Sequence, residues 1–263
     1  NSSLTHLNNF LQQIEIAEAD ILDIPSLENA FDGIEKIYHS AAVIGYDKSY
    51  YERMYKCNIE GTANVVNVAL AKGVKKLLHV SSIASIGGKP NERITEETKW
   101  EKNEWTTHYG ITKMLAEREV WRGVQEGLNA VIVNPGIILG PGFWHQSSGK
   151  LIETCYKENP FYTNGSSATI DAKDVASCMI QLTEKKEFSK RFVLIENNYS
   201  FKEILSQVHK ALGKKEPSIE AGKITLTIGK WIDGWRSFII GKERLITKET
   251  VNAGLDSNSY NNS

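Results

Sequence analysis

The chain has 263 residues, 41% of them hydrophobic, which suffices for one large α/β domain or one domain with a smaller lobe. Its formal net charge of −1 sets up no long-range field that would draw it to nucleic acid or to an anionic membrane. No run of about eighteen apolar residues is present, so no transmembrane helix is implied. Three scattered cysteines, Cys57, Cys155 and Cys178, form neither a CxxC pair nor a metal-ligand spacing. They read as buried free thiols in a reducing compartment, and with no secretory leader a cytoplasmic location is expected.

In chain order, "IEIAEADI" (residues 14–21) reads as a strand. Pro25-Ser26 then opens a short helix, with Ser26 as its N-cap or a first-turn residue. "EKIYHSAAVI" is the next strand, followed by a long helix over about 49–72 that stops at Gly73. "VKKLLHVSS" is a strand with Leu77, Leu78 and Val80 as its buried core. A polar loop with Lys89-Pro90-Asn91 leads to a helix over about 107–126, and "NAVIVNP" (129–135) is again a strand. Short continuous apolar strands alternating with long helices predict a doubly wound parallel sheet covered on both faces. Beyond Gly142 the pattern loosens. "SSGKLIETCYK", "AKDVASCMIQLTEK" and "SFKEILSQVHKALG" read as helices and "RFVLIE" as a strand, while the tail from about Pro217 reads as less regular. The expected organisation is a core over residues 1–142 and a small, mainly helical substrate lobe over 143–263, with segments around 167–196 returning to the core.

Four strand ends carry small or polar residues: Asp20-Ile21, "HSAA" (39–42), Ser81-Ser82, and Asn134-Pro135-Gly136. Open α/β sheets bind ligands at the carboxyl ends of their strands. One pair on a helix completes the set. Tyr109 and Lys113 are four apart and share one helix face, and they are the only Tyr–Lys pair at that spacing in the chain. A nearby ammonium lowers a phenol's pKa from about 10. A hydroxyl at Ser82 can hold a carbonyl or alcohol oxygen while a tyrosine passes a proton to or from it. That suits hydride transfer at the adjacent carbon, which side chains do not perform and which requires a nicotinamide.

The stretches "ADILDIPSLENAF", "YHSAA", "NIEGTANVVNVALAKGVKKLLHVSSIASIG", "YGITKMLAE", "NAVIVNPGIILGPG" and "DAKDVASCMIQL" run in order from Ala19 to Leu182. In them the chain resembles an extended short-chain dehydrogenase/reductase of the NAD-dependent epimerase/dehydratase family. Within that family it is most similar to the dihydroflavonol-reductase-like and 3β-hydroxysteroid-dehydrogenase-like branch. The resemblance implies a Rossmann-like fold binding NAD or NADP, with Ser82, Tyr109 and Lys113 as catalytic triad and Tyr109 as acid/base. It implies that Lys113 also reaches the nicotinamide ribose, that Asp20 and Ile21 touch adenine, and that Ser40, Ala41 and Ala42 lie along the cofactor. Asn58 would support the site from the long helix, Ser81 would line the cofactor, and Pro135 would line the nicotinamide pocket. A homodimer is a possible assembly.

One departure is large. The family's Gly-rich phosphate loop follows its first strand. No substitute for it occurs in these 263 residues, and it is expected before Asn1. The reading is therefore an NAD(P)-dependent oxidoreductase acting on a small, largely apolar carbonyl or alcohol. A nucleotide-sugar epimerase or dehydratase and a non-catalytic dinucleotide-binding redox sensor stand as alternatives. The expected substrate wall is apolar and aromatic and poor in cations: Ile83, Ile86, Phe143, Trp144 and Trp231. His39 and His79 read as packed strand residues, His108 and His145 as loop residues near the site, and "NERITEETKWEKNE" as a solvated loop.

Overall fold

The computed structural model describes residues 5–88, 92–103, 105–142, 144, 148–185, 187–240, 244 and 246–262. Helix α1 (Ile24–Ala30) begins with Pro25 in its first turn, where a missing N–H costs nothing. Strand β1 (Lys36–His39) follows. A continuous helical stretch then starts at Asp47, whose carboxylate accepts the Ser49 N–H at 2.9 Å. It passes through one tight turn, α2 (Tyr51–Met54), a wide π turn over Tyr55–Glu60, and α3 (Gly61–Ala71). Gly73, at φ +67°, ends it in the left-handed conformation, with the Val74 N–H bonded back to the Ala69 carbonyl at 2.9 Å. Next come β2 (Lys76–Val80), a tight turn at Ile83–Ser85, β3 (Arg93–Ile94) and α4 (His108–Gln125). After β4 (Ala130–Pro135) and β5 (Ile137–Leu139) the chain forms α5 (Gly149–Tyr156), β6 (Phe161–Tyr162), β7 (Ser166–Asp171) and α6 (Ala172–Glu184). It ends with β8 (Lys190–Leu194), β9 (Asn197–Ser200), α7 (Phe201–Ala211), β10 (Ile219–Glu220), α8 (Lys223–Ile240), α9 (Lys248–Leu255) and β11 (Ser259–Tyr260).

The main sheet has the order β1-β2-β4-β8 and every pairing is parallel. Alternation along its strands divides the core in two. Leu77, Ala130 and Ile132 point to one face and pack on Val65, Val66 and Ala69 of α3, Val120 of α4 and Leu27 of α1. Leu78, Val131 and Val133 point to the other and pack on Val175, Met179 and Leu182 of α6. Helices on both faces make this the Rossmann-like architecture of the expectation. A smaller sheet, β5-β7-β9, lies beyond the carboxyl end of β4.

Several local expectations are corrected. Residues 15–20 form no strand: they pair with no described neighbour, and Ile14 and Ile16 stay exposed. Of the two places expected for Ser26, the structure has the first turn, and Asp23 holds the N-cap position; the Ser26 hydroxyl donates to the Asp23 carbonyl at 2.9 Å. Of the three thiols only Cys155 is buried; Cys57 and Cys178 are half-buried. The irregular tail is instead the 18-residue helix α8 followed by α9. The acidic loop is partly built in, since Ile94 is fully buried and the Glu96 carboxylate accepts the Val193 N–H at 2.9 Å. Seven short strands escaped the periodicity reading, because runs of two to six residues carry too few positions to show a period. Phe143, His145 and Lys89-Pro90-Asn91 lie outside the described residues.

Candidate functional site

The carboxyl ends of β1, β2 and β4 open into one cleft of about 870 Å³. Ser40, Ala42, Ser81, Ser82, Tyr109, Lys113 and Pro135 all line it, so seven of the expected residues meet in one place. Ala41 is exposed beside it. Asp20 and Ile21 lie outside its lining: Asp20 is exposed and caps the Leu22 N–H at 2.9 Å, while Ile21 packs on Gly61. Asn58 sits behind the wall on the π turn. Its amide accepts the Val43 N–H at 2.7 Å, donates to the Val43 carbonyl at 2.9 Å, and donates to the Thr112 hydroxyl at 3.0 Å. It clasps the segment after β1 to α4.

Ser82 caps the tight turn after β2, its hydroxyl accepting the Ala84 N–H at 3.2 Å. Thr107 caps α4 by accepting the Gly110 N–H at 3.0 Å, which places Tyr109 in the first turn. Gly110 lets this turn pass the serine turn closely: a Cβ there would stand 2.5 Å from the Ala84 carbonyl oxygen. Ser82 stands beside the Tyr109 phenol, and both side chains line the cleft. Burial and the neighbouring Tyr46 phenol push the Tyr109 pKa up to about 12, against the lowering effect of Ser82. This corrects the expectation of a lowered phenol pKa. Lys113 is turned away from the phenol: its ammonium donates to the Val80 carbonyl at 2.9 Å and faces His79 Nε2 at 3.4 Å. Burial pulls Lys113 down to about 8, partly opposed by Glu117 and Cys57.

Glu117, one further turn along α4, is a site residue that the sequence reading passed over. It is buried, and its Oε1 accepts from Ser81 Oγ at 2.5 Å, from Asn134 Nδ2 at 2.6 Å and from Ser85 Oγ. Its other oxygen faces the Arg191 guanidinium at 3.6 Å. The same serine turn is held from below, since Asn134 Nδ2 also donates to the Ser82 carbonyl at 3.1 Å; that carbonyl, 2.6 Å from Ser85 Oγ, is the alternative acceptor for the single Ser85 proton. One carboxylate thus ties α4, the serine turn, β4 and β8 together. The i,i+4 spacing of Lys113 and Glu117 was the available signal.

His39 and His79 are buried strand residues, as expected, with ring centroids 5.1 Å apart. His39 shares a 3.0 Å hydrogen bond with Thr62 Oγ1. Burial and the Lys113 charge hold His39 near 3 and His79 well below the ordinary imidazole range, so both are neutral. His108 is exposed outside the cleft lining, stacked on Tyr51 and bonded to Glu249 of α9. The substrate wall differs from the expected one. Ile83 contributes, but Ile86 is fully buried in the core. Trp144 and Trp231 are exposed outside this cleft. Aromatic surface comes instead from Tyr46, Tyr50, Trp105, Phe201 and Tyr260, and the cations Lys150 and Arg244 also line the cleft.

This arrangement agrees with comparisons to known proteins. The model of the NAD dependent epimerase/dehydratase family matches residues 2–194. Cinnamoyl-CoA reductase 1 of Petunia hybrida is 29% identical over 208 residues, which are 75% of this chain and 62% of that protein. Anthocyanidin reductase of Arabidopsis thaliana is 28% identical over 266 residues, covering 89% of this chain and 78% of the relative. The crystal structure of gox2253 superposes with a TM-score of 0.81 at 25% identity, over 99% of this chain and 79% of that one. The chain spans about three fifths of the length of several curated relatives it matches. Fold, strand-end cleft and family match agree: the chain belongs to the NAD dependent epimerase/dehydratase family.

Proposed function

We propose that the protein interconverts a carbonyl and an alcohol on a small, largely apolar organic substrate, with NAD or NADP as redox partner and Ser82, Tyr109 and Lys113 as the working groups. One observation carries this reading: two neighbouring hydroxyls, Ser82 and Tyr109, on the wall of an aromatic-lined cleft, with Lys113 buried one turn along the same helix as the tyrosine. The residues present fit the nicotinamide end of a dinucleotide. Ser40, Ala42, Ser81 and Pro135 are small or polar groups at strand carboxyl ends and permit close approach of a ligand. When bound, such a cofactor supplies or accepts the hydride.

The chain's own residues handle the oxygen and its proton. Ser82 Oγ orients the substrate oxygen. The Tyr109 phenol is neutral near pH 7, because its pKa lies at about 12, and gives its proton to that oxygen as the carbonyl is reduced. Lys113, buried and lining the cleft one turn further along α4, would hold the nicotinamide ribose. The names of the two curated reductases support a reductase reading. The second reading, a nucleotide-sugar epimerase or dehydratase, draws on Lys150 and Arg244, because diphosphates are bound by cationic side chains. Oxidation of NADH or NADPH with a panel of hydrophobic ketones tests the first, and calorimetry with nucleotide-diphosphate sugars tests the second. Ketone turnover that disappears in Tyr109→Phe supports the reductase. Tight sugar-nucleotide binding without ketone turnover transfers the assignment to the epimerase. Dinucleotide binding with neither outcome leaves the sensor.

A further inference from the structure

Helix α8 is assembled the wrong way round for a core helix. Ile224, Ile228, Trp231, Ile232 and Trp235 fall within about 100° of arc on a 3.6-residue winding. That arc faces solvent: their exposures are 78, 56, 70, 65 and 64%. The opposite side is the anchored one. Asp233 is buried there, bonded to Arg236 at 2.8 Å and accepting the Ile246 N–H at 2.9 Å. A surface helix ordinarily turns its apolar stripe inward. This one presents two indoles and three isoleucines outward, where scattered single apolar residues would be unremarkable.

The charges around the stripe indicate what covers it. Lys230 and Arg244 line the same surface groove as Trp231 and Trp235, a groove of about 540 Å³. Arg236 flanks the other side of the helix. The one carboxylate of α8, Asp233, is buried and held by Arg236, so it presents no exposed anion against an approaching negative surface. Outward indoles with adjacent cations are the composition of a helix that lies in a bilayer interface, with indoles at headgroup level and basic groups on lipid phosphates. No helix among the described residues is long and apolar enough to cross a membrane, so any contact of this kind is in-plane. We propose that α8 docks the protein on an anionic phospholipid surface through Ile224, Ile228, Trp231, Ile232 and Trp235, with Lys230 beside the stripe meeting the headgroups. The near-zero net charge of the chain gave no hint of this, because the attraction is local to one helix.

Vesicle co-flotation tests the proposal, using equal parts phosphatidylcholine and phosphatidylglycerol against phosphatidylcholine alone. The protein is expected to float with the mixed vesicles, to be released by salt, and to show a blue shift of tryptophan emission on binding. Trp231→Glu/Trp235→Glu should weaken partitioning at least about tenfold, as expected for putting charge into the apolar face. Both indoles are more than half exposed, so the variant should fold, which its circular-dichroism melting curve will verify. Ile180→Glu, at an exposed position on α6, should leave flotation unchanged. Absence of flotation with mixed vesicles, or equal salt-insensitive binding to phosphatidylcholine alone, overturns the proposal. So does a dimer in light scattering that the double variant dissolves while vesicle binding is absent, which would make the stripe a homotypic interface.

Discussion

Replacing Glu117 by alanine should expose how much the serine turn depends on one carboxylate. The side chain is buried and accepts three hydrogen bonds, from Ser81, Ser85 and Asn134, while facing Arg191 at 3.6 Å. Hydrogen bonds to a charged group contribute about 1.5–3 kcal/mol each, and stripping one partner from a buried pair costs about 3–5 kcal/mol. The three donors have other acceptors close by: Ser81 can turn to Ser85 Oγ at 3.1 Å, Ser85 to the Ser82 carbonyl at 2.6 Å, and Asn134 to that carbonyl at 3.1 Å. Arg191 keeps the carbonyls of Glu96 and Thr98, at 2.7 and 3.0 Å. These fallbacks place the expected loss near the low end, at about 3 kcal/mol. For a chain of this size that lowers Tm by about 6–12 °C. Glu117→Gln keeps an acceptor for the three donors and should recover roughly half of the loss. Thermal melting followed by circular dichroism measures both. A Glu117→Ala shift below about 2 °C would refute the view that this carboxylate organises the turn. Because Glu117 also raises the Lys113 pKa, the alanine variant should titrate Lys113 below its present value of about 8.

Tyr109→Phe should lower ketone turnover by about two to four powers of ten, the usual loss for a general acid, with dinucleotide affinity nearly unchanged in calorimetry. Lys113→Ala should differ by weakening dinucleotide binding as well, read from the same titration. Gly110→Ala would place a Cβ 2.5 Å from the Ala84 oxygen; because a backbone atom cannot yield, it should move Tyr109 away from Ser82 and cut kcat more than it lowers Tm. His39 gives a pH signature. The unfolded imidazole protonates below about 6.5, whereas the folded one resists until about 3, so stability is full above pH 6.5 and falls by about 1.4 kcal/mol per unit as pH drops through that window. His79 acts in the same direction. Urea midpoints measured across this range should fall less steeply for His39→Gln than for the unchanged chain.

The sequence disclosed those parts of the molecule whose physics is local. Four-residue apolar runs such as Ala130 to Val133 point to a strand buried on both faces, and β4 is buried at all six positions. The Tyr109–Lys113 spacing put both residues on one face, and the cleft contains both. What stayed hidden depends on distant partners. Nothing around Glu117 says that Ser81, Ser85, Asn134 and Arg191 converge on it, because those contacts join four separate elements. Lys113 was read as a neighbour of the phenol, but where its four-carbon stem ends is decided by the Val80 carbonyl and His79 across the helix–sheet interface. The aromatic wall was misplaced for a similar reason. Trp144 stands just after the Gly-Pro-Gly turn and yet is exposed outside the cleft, while Phe201 and Tyr260 reach it only through the packing of the later elements.

The wide π turn at Tyr55–Glu60 bears on how this helix tolerates gain and loss of residues. A π turn holds one residue more than regular winding does, so the two flanking stretches, Tyr51–Met54 and Gly61–Ala71, are already phased as though that residue were a passenger. Deleting Cys57 should therefore let the helix rewind without turning Val65 and Val66 out of the core, where a deletion in an ordinary helix would rotate everything beyond it by about 100°. The casualty would be Asn58, whose amide is aimed at Val43 and Thr112 only while the bulge persists. This helix can shorten without unravelling, and the selective cost of doing so would fall on the geometry of the cleft and not on the solidity of the fold.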